Sequence, residues 1–244
     1  MGNSPARAAA KETLWRLSAL ACAPPVQEFF EAISSSRFHD AFDTAWSQVT
    51  GRAWPKAKAA PDFASFEAGF IVAFLHGRMG KPVASLLAGD HEKILAGLTR
   101  PVFMLNLAAF YKHFGLKAAT ADEGRRDEPD HLGSMMECMA VLCHLEARAL
   151  RDGGDASPYR RAQRDFLCRY LAPTLNAIVG NLRRHSVPNL DPITYQLLQD
   201  MAEWSVQQVS ELEARVGPFR DPDAPKPTHV AAQTPEPVTQ NLWI

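Results

Sequence analysis

The chain has 244 residues, of which 46% are hydrophobic and 22% are charged, and its formal net charge is −1. This length accommodates one large domain or two small ones with a full apolar core. The near-zero net charge provides no basic field of the kind that favours nucleic acids or anionic membranes. No apolar run is long enough to span a bilayer, and the N-terminus has no export signal. We therefore expect a cytoplasmic protein that binds no nucleic acid and has no stable membrane insertion.

Apolar residues recur at helical spacing from Ala8 to Ala214, which predicts helices along most of the chain. Asp62 is predicted to cap the fourth helix, and Pro173 is predicted to kink or split the ninth. No run alternates in the manner of a β-strand. The fold class is therefore all-α, a single helical-bundle-like domain over residues 1–216. The predicted helices are 8–23, 26–33, 38–49, 63–75, 82–88, 90–97, 101–114, 132–150, the helix from about 157, and 192–214.

Residues 217–244 carry six prolines, which predicts an extended proline-rich tail. Its last residues, 242–244, are Leu-Trp-Ile. They either dock onto an apolar surface of the helical domain or are incidental. The cysteines form no Cys-x-x-Cys pair, and their helical, apolar flanks predict reduced thiols that face the core. These cysteines are Cys22, Cys138, Cys143 and Cys168.

Residues 128–131 read Glu-Pro-Asp-His, directly before the clearest predicted helix. Pro129 disfavours helical backbone at Glu128, so Asp130 is well placed to cap that helix. His131, beside two carboxylates, is also a candidate base or metal ligand, although no His-x-x-x-His pair accompanies it. From the residues alone, both a capping loop and a functional site remain open, including a helical enzyme that uses Asp130 and His131 in metal-assisted hydrolysis.

Two other features have simple structural interpretations. Methionines at 135, 136 and 139 share a helix face, where they fill a core or form an adaptable peptide-binding surface. Adjacent arginines at 125 and 126 lie among carboxylates far from the N-terminus, which indicates a solvated loop and not an export signal.

The order of the motifs resembles the TorD/DmsD/NarJ family of molybdoenzyme maturation chaperones. In that family a helix ending in Tyr-x-x-Phe-Gly is followed by a variable loop, Pro-Asp-His and a helix similar to Glu-Leu-Glu-Phe-Met. The sequence departs from the family at Met135, where the first glutamate is expected, and at Tyr170 and Thr174 of a later segment. The matching residues are Tyr111, Phe114, Gly115, Pro129, Asp130, His131, Glu137 and Met139.

The resemblance implies a non-enzymatic chaperone that binds the catalytic subunit of a molybdopterin oxidoreductase through its N-terminal twin-arginine leader. It implies support for cofactor insertion and assembly before export. No cofactor would be bound permanently, although transient contact with the client's molybdopterin guanine dinucleotide is possible. A nitrate-reductase-type chaperone for a non-exported subunit is the alternative within the family. No catalytic or metal-ligating residue is implied, and the candidates for leader binding are Tyr111, Glu128, Pro129, Asp130, His131 and Glu137.

Overall fold

The computed structural model describes residues 4–77, 80–116 and 128–220. Within these ranges the chain is helical and has no strand beyond an isolated bridge, so the all-α prediction is confirmed. No helix in these ranges combines the length and apolar character that crossing a bilayer requires. The helices are α1 (Pro5–Ala21), α2 (Gln27–Ser34), α3 (Arg37–Thr50), α4 (Phe63–Phe70), α5 (Glu92–Leu95), α6 (Arg100–His113), α7 (Leu132–Arg151), α8 (Ser157–Phe166), α9 (Ala172–Arg184) and α10 (Pro192–Val216).

The core is centred on α7, which packs along α1 over most of its length. Trp15 of α1 is fully buried and stacks at a tilt against Trp204 of α10, with 5.1 Å between the ring centroids. The three methionines Met135, Met136 and Met139 are also fully buried on α7. They therefore fill the core and do not form an exposed peptide-binding surface.

Local signals place several helix ends where the sequence predicts them. Asp62 caps α4 by accepting a hydrogen bond from the backbone N–H of Ser65 at 2.7 Å. A π-helical turn, Leu167–Leu171, separates α8 from α9 just before Pro173, as expected of a residue that cannot donate within a helix. Asp191 caps α10 through Thr194, and it was not singled out from the sequence.

The four cysteines are free thiols. Three of them, Cys22, Cys138 and Cys143, are buried, as predicted, whereas Cys168 is only half-buried. Burial raises the pKa of the Cys22 thiol to about 12, so this group stays protonated and unreactive at neutral pH.

The helix predicted at 82–88 is wrong, and the one predicted at 90–97 is shortened to α5. The helical structure that precedes α5 in this segment is a single 3₁₀ turn, Ala88–Asp90. The backbone instead pairs with distant segments: the N–H of Ala84 donates to the carbonyl of Ala73 at 2.8 Å, and the carbonyl of Leu86 accepts from the N–H of Leu132 at 2.8 Å. These pairings take the place of the hydrogen bonds that a helix would have made.

Three sequence predictions lie wholly or mostly outside the described residues. They are the solvated loop around Arg125 and Arg126, the extended tail over 217–244, of which only 217–220 are described, and the docking of the tail end at 242–244.

Candidate functional site

Residues 128–131, here called the motif turn, directly precede α7. The N–H of His131 donates to the carbonyl of Glu128 at 3.0 Å, which closes the turn. An isolated antiparallel bridge joins Leu87 to His131, and the N–H of Ala88 donates to the carbonyl of Asp130 at 2.9 Å. The motif turn is therefore held by the irregular segment in which the sequence predicted a helix.

The residue that caps α7 is His131, so the prediction that Asp130 is the cap is wrong. The backbone of His131 is extended, and its Nδ1 accepts a hydrogen bond from the N–H of Gly133 at 3.1 Å. An accepting Nδ1 requires a neutral imidazole with its proton on Nε2. The histidine thus takes the place that serine, asparagine or aspartate usually occupies.

Asp130 is fully buried, with 0% of its side chain exposed. Its Oδ2 accepts a hydrogen bond from the N–H of Gly89 at 2.9 Å. Among the described residues, its Oδ1 has no hydrogen-bond partner. A buried acceptor without a donor is unfavourable, and such atoms in native proteins are uncommon enough to require an explanation.

Arg100, the first residue of α6, lies at the centre of three carboxylates. Its Nη1 is 3.2 Å from Oδ1 of Asp90, and its Nη2 is 2.9 Å from Oε2 of Glu128. The same Nη2 is 3.6 Å from Oδ2 of Asp130, which is an ion-pair distance but too long for a good hydrogen bond. We call Asp90, Arg100, Glu128 and Asp130 the Arg100 cluster; it holds three carboxyl groups around one guanidinium.

Gly89 allows this cluster to be compact. A Cβ on Gly89 would lie 2.7 Å from Oδ2 of Asp130 and 2.7 Å from Nε of Arg100. Both distances are well inside van der Waals contact, so only glycine lets the guanidinium and the buried carboxylate approach the backbone here.

Asp90 is fixed by local contacts. Its Oδ2 accepts a hydrogen bond from the hydroxyl of Ser85 at 2.5 Å. The carbonyl of Ser85 is 2.9 Å from Nε2 of His91. These contacts direct the remaining oxygen of Asp90 towards Arg100.

Tyr111 fastens the motif turn to α6. Its hydroxyl donates to the carbonyl oxygen of Pro129 at 2.7 Å. Burial, followed by the nearby Cys138, Asp130 and Glu137, raises the pKa of this phenol well above its ordinary value. The phenol therefore stays protonated and able to donate at neutral pH.

The structure brings together five of the six residues predicted to bind a leader. Tyr111 contacts the motif turn, and the motif turn supplies the other four. Glu137 is exposed on α7 and acts on Tyr111 through its charge, but it is not part of the Arg100 cluster. The sequence reasoning missed Asp90, Arg100 and Gly89.

An exposed apolar face runs along α6 beside the cluster. Val102 and Leu105 are 43% and 68% exposed, which is high for large aliphatic side chains. We call this surface the α6 face; at helical spacing it comprises Pro101, Val102, Leu105, Ala108 and Ala109, all exposed.

A second pair of exposed apolar residues lies between the last turn of α1, which holds Leu20, and the start of α2, which Val26 directly precedes. Leu20 is 53% exposed and Val26 is 50% exposed. This end of α1 reaches the start of α7, since the carbonyl oxygen of Ala19 is 3.6 Å from the position of a Cβ on Gly133. The chain thus has exposed apolar residues both on the helix before the motif turn and on a helix packed beside the start of α7.

The donor set for metal-assisted hydrolysis is incomplete in the part of the chain that the structure describes. No group of three or more His, Cys, Asp or Glu side chains there is placed to hold a metal ion. Asp130 and His131 point to different partners, Gly89 and Gly133, and do not converge on a common position.

Comparison with known proteins identifies the family. The family model described as nitrate reductase delta subunit matches residues 36–178, which include the Arg100 cluster and Tyr111. The chain belongs to the TorD/DmsD/NarJ family of molybdoenzyme maturation chaperones. The family indicated by the ordered motifs is thereby confirmed.

Individual relatives carry more specific names. A dimethyl sulfide dehydrogenase assembly chaperone protein of Rhodovulum sulfidophilum is 50% identical over 238 residues, which are 98% of this chain and 94% of that protein. A selenate reductase assembly chaperone protein of Thauera selenatis is 40% identical over 131 residues, 54% of this chain and 63% of the relative. A perchlorate reductase assembly chaperone protein of Dechloromonas aromatica (strain RCB) is 37% identical over 117 residues, 48% of this chain and 49% of the relative. No solved structure gives a significant match.

Proposed function

We propose that this protein is a cytoplasmic chaperone for the catalytic subunit of a molybdopterin oxidoreductase of the dimethyl sulfide dehydrogenase type. It binds the arginine-bearing N-terminal leader of that subunit and holds the subunit while the cofactor is inserted, before export. The likeness to the chaperone of Rhodovulum sulfidophilum over 98% of the chain supports the client type. This role needs no covalent chemistry and no cofactor bound permanently by the chaperone.

The observation that carries the proposal is the excess of carboxylates around Arg100. Asp90 and Glu128 are 37% and 45% exposed at the side chain, so an incoming group can reach them. A guanidinium presents several N–H donors in a planar fork that matches carboxylate oxygens. A leader with adjacent arginines would therefore supply additional positive charge and additional N–H donors to the carboxylates of this cluster.

The exposed apolar residues fit the second part of such a leader. An apolar segment that follows the arginines gains free energy by covering large aliphatic side chains. The α6 face begins at Pro101, next to Arg100, so a leader bound to the cluster can continue along α6. Leu20 and Val26 offer a second apolar surface in the same part of the fold.

The test measures binding of a synthetic peptide that carries two adjacent arginines followed by an apolar run. Isothermal titration calorimetry compares it with the same peptide carrying two lysines and with one carrying two alanines. We expect binding that weakens from arginine to lysine to alanine. The double variant Asp90→Asn/Glu128→Gln should lower the affinity for the arginine peptide by about tenfold or more, since two charge-assisted contacts are weakened.

A matched control removes two carboxylates elsewhere. Asp152 and Glu203 are exposed and form ion pairs with Arg148 and Arg183, away from the Arg100 cluster. The variant Asp152→Asn/Glu203→Gln therefore changes net charge equally and should keep the affinity of the wild type. Equal affinity of the wild type for all three peptides would contradict leader recognition at this cluster.

Maturation provides a second readout. Coexpression of a catalytic subunit of the dimethyl sulfide dehydrogenase type with the cluster variant should yield less cofactor-loaded subunit than coexpression with the wild type or with the control variant. Equal loading in all three cases would show that the cluster has no part in maturation.

A further inference from the structure

Arg100 neutralises the cluster incompletely. Two of its N–H groups contact Asp90 and Glu128, and its distance of 3.6 Å from Asp130 is too long for a good hydrogen bond. Asp130 keeps an oxygen that is buried and has no partner among the described residues. The cluster therefore has unused acceptor capacity next to a guanidinium that already belongs to the chain.

The motif turn does not depend on Arg100 for its shape. The N–H of Ala88 donates to the carbonyl of Asp130, and the hydroxyl of Tyr111 donates to the carbonyl of Pro129. Directly after the turn, the N–H of Leu132 donates to the carbonyl of Leu86. The buried carboxylate of Asp130 is fixed by the N–H of Gly89. The hydroxyl of Ser85 likewise holds Asp90, so the carboxylates of Asp90 and Asp130 would remain in place if the guanidinium moved away.

The position of the Arg100 side chain suits such a movement. It crosses Gly89, where an added Cβ would be 2.9 Å from Cγ of Arg100 and 2.7 Å from Oδ2 of Asp130. The side chain is 38% exposed, so its outer end can rotate into solvent. Partly exposed ion pairs contribute little net stability, because solvation of the separated charges compensates for them.

We propose that Arg100 is an internal occupant of the client's arginine site, and that an arginine of the leader displaces its guanidinium from Glu128 and Asp130. This inference rests on the proposed function, since it assumes that the cluster receives a leader arginine. At present Asp130 shares the guanidinium of Arg100 with Asp90 and Glu128. After displacement, the arginine of the leader provides Asp130 with N–H donors that are not divided among three acids. The outgoing Arg100 remains paired with Asp90 or moves into solvent.

The exchange makes Arg100 a specificity-determining residue. Any incoming cation competes with the guanidinium of Arg100, which is already in place. A cation that forms weaker hydrogen bonds with the carboxylates therefore binds with little net free energy. An ammonium group lacks the planar fork of a guanidinium and is more strongly hydrated. Arg100 therefore favours arginine over lysine in the leader, and it also keeps the affinity low enough for the client to be released.

The first experiment replaces Arg100 and measures the arginine peptide by calorimetry. Arg100→Gln removes the competing charge and should tighten binding on the order of tenfold. Arg100→Lys, a poorer competitor than arginine, should give an intermediate affinity. Arg148→Gln removes an exposed arginine paired with Asp152 and serves as the matched control, with no tightening beyond the general effect of charge. Unchanged or weaker binding by Arg100→Gln would overturn the exchange.

A second experiment uses the wild-type protein, so it does not depend on how a variant folds. The ¹H–¹⁵N signal of Arg100 Nε is followed by NMR as the arginine peptide is added. Exchange predicts that this signal moves towards that of a solvated arginine, while the Gly89 amide keeps its hydrogen-bonded shift. A signal that stays unchanged at saturation would show that Arg100 remains in place, which also overturns the exchange.

The two proposals fail in different ways. If the wild type does not prefer the arginine peptide, leader recognition at the cluster is wrong. If it prefers that peptide and loses affinity in Asp90→Asn/Glu128→Gln, yet Arg100→Gln binds no more tightly, only the exchange is wrong.

Discussion

Tyr111 and Pro129 are joined by a hydrogen bond of 2.7 Å from the phenolic hydroxyl to the carbonyl oxygen. This contact connects the last turn of α6 to the motif turn, two segments whose connector at 117–127 lies outside the described residues. The ring of Tyr111 also packs on Phe166 of α8, with 6.0 Å between the centroids. The tyrosine thus links the Arg100 cluster to the core of the domain.

Replacing Tyr111 with phenylalanine should loosen the motif turn while the ring packing is kept. Loss of the hydroxyl leaves the carbonyl of Pro129 without its donor, which should cost about 1–2 kcal/mol of unfolding free energy. The measurement is urea denaturation, combined with calorimetry of the arginine peptide, whose affinity should also fall.

The control for this prediction is Tyr195→Phe. The hydroxyl of Tyr195 accepts a hydrogen bond from Gln199 within α10, away from the cluster. It should change stability less and leave peptide affinity unchanged. Equal losses of affinity in both variants would contradict a specific role for the Tyr111 contact.

Gly89→Ala should disturb the cluster through steric overlap. The added Cβ would be 2.7 Å from Oδ2 of Asp130, which is fixed by the neighbouring backbone. Overlap of this kind typically costs about 1–3 kcal/mol, and thermal denaturation should show a clear decrease in Tm. The control is Gly180→Ala in α9, where the nearest atom is 3.7 Å away. This control should be neutral or stabilising by up to about 1 kcal/mol, because alanine favours helix.

The sequence predicts the long helices well because their signals are local. The 101–114 helix is observed as Arg100–His113, and the 132–150 helix as Leu132–Arg151. Apolar spacing and a glycine after the last turn, together with a proline in the first turn of α6, suffice for these two helices. The segment at 82–88 fails for the opposite reason: its hydrogen bonds go to Ala73, Asp130 and Leu132, none of which is a sequence neighbour.

The site is less predictable than the fold for the same physical reason. Asp130 has the composition and position of a helix cap, but a donor 41 residues away, the N–H of Gly89, takes its carboxylate. Arg100 contacts acids 10 and 28 residues distant, and no spacing rule relates these positions. Residues that a family motif contains can be found from sequence, whereas their partners in the cluster emerge only from the tertiary structure.

Substitutions can separate the capping of α7 by His131 from a role of this histidine in client maturation. His131→Ala removes the acceptor for the N–H of Gly133, so we expect a loss of about 0.5–2 kcal/mol in stability. His131→Asn restores a good capping side chain and should recover most of that loss. Client maturation in coexpression then decides the issue. We expect maturation to stay low in both variants; full maturation with the asparagine variant would show that the histidine serves only as the cap.

A buried charge cluster far from the motif turn should govern acid stability. Glu146 is 2% exposed and accepts hydrogen bonds from Nε of Arg160 at 2.7 Å and Nε2 of Gln163 at 2.9 Å. Burial opposes its ionisation, but the charge of Lys11 and the contacts from Arg160 and Gln163 outweigh burial and lower the pKa of Glu146 below 4.5. A lowered carboxyl pKa contributes stability that is present above the unfolded value and is lost as pH falls through the folded value.

Glu146→Gln should therefore destabilise the protein by about 3 kcal/mol near neutral pH, since it removes the buried negative charge that Arg160 contacts and that offsets the charge of Lys11. Urea denaturation at decreasing pH should show that the difference in unfolding free energy between wild type and variant shrinks below about pH 4.5, the ordinary pKa of this group.

Lys11→Met is the informative comparison. Burial lowers the pKa of Lys11, and methionine removes a charge that is costly to bury while Arg160 still pairs with Glu146. Lys11→Met should lower the unfolding free energy far less than Glu146→Gln does. An equal loss in the two variants would contradict the assignment of Glu146 as the central group.

The α6 face gives a prediction in which binding changes and stability does not. Leu105 is 68% exposed, so Leu105→Ser removes little buried apolar area and should change the unfolding free energy by less than about 1 kcal/mol. If an apolar leader segment covers this face, the same change removes contact area in the complex and should weaken binding of the arginine peptide several-fold.

Val206 on α10 is 52% exposed and provides a matched apolar position outside the α6 face. Val206→Ser should leave peptide affinity at the wild-type value, because nothing in the proposed binding path lies on that surface. Calorimetry with the three proteins distinguishes the cases. A loss of affinity confined to Leu105→Ser supports docking along α6. Equal affinities would place the apolar part of the leader elsewhere, with Leu20 in α1 and Val26 before α2 as the next positions to replace.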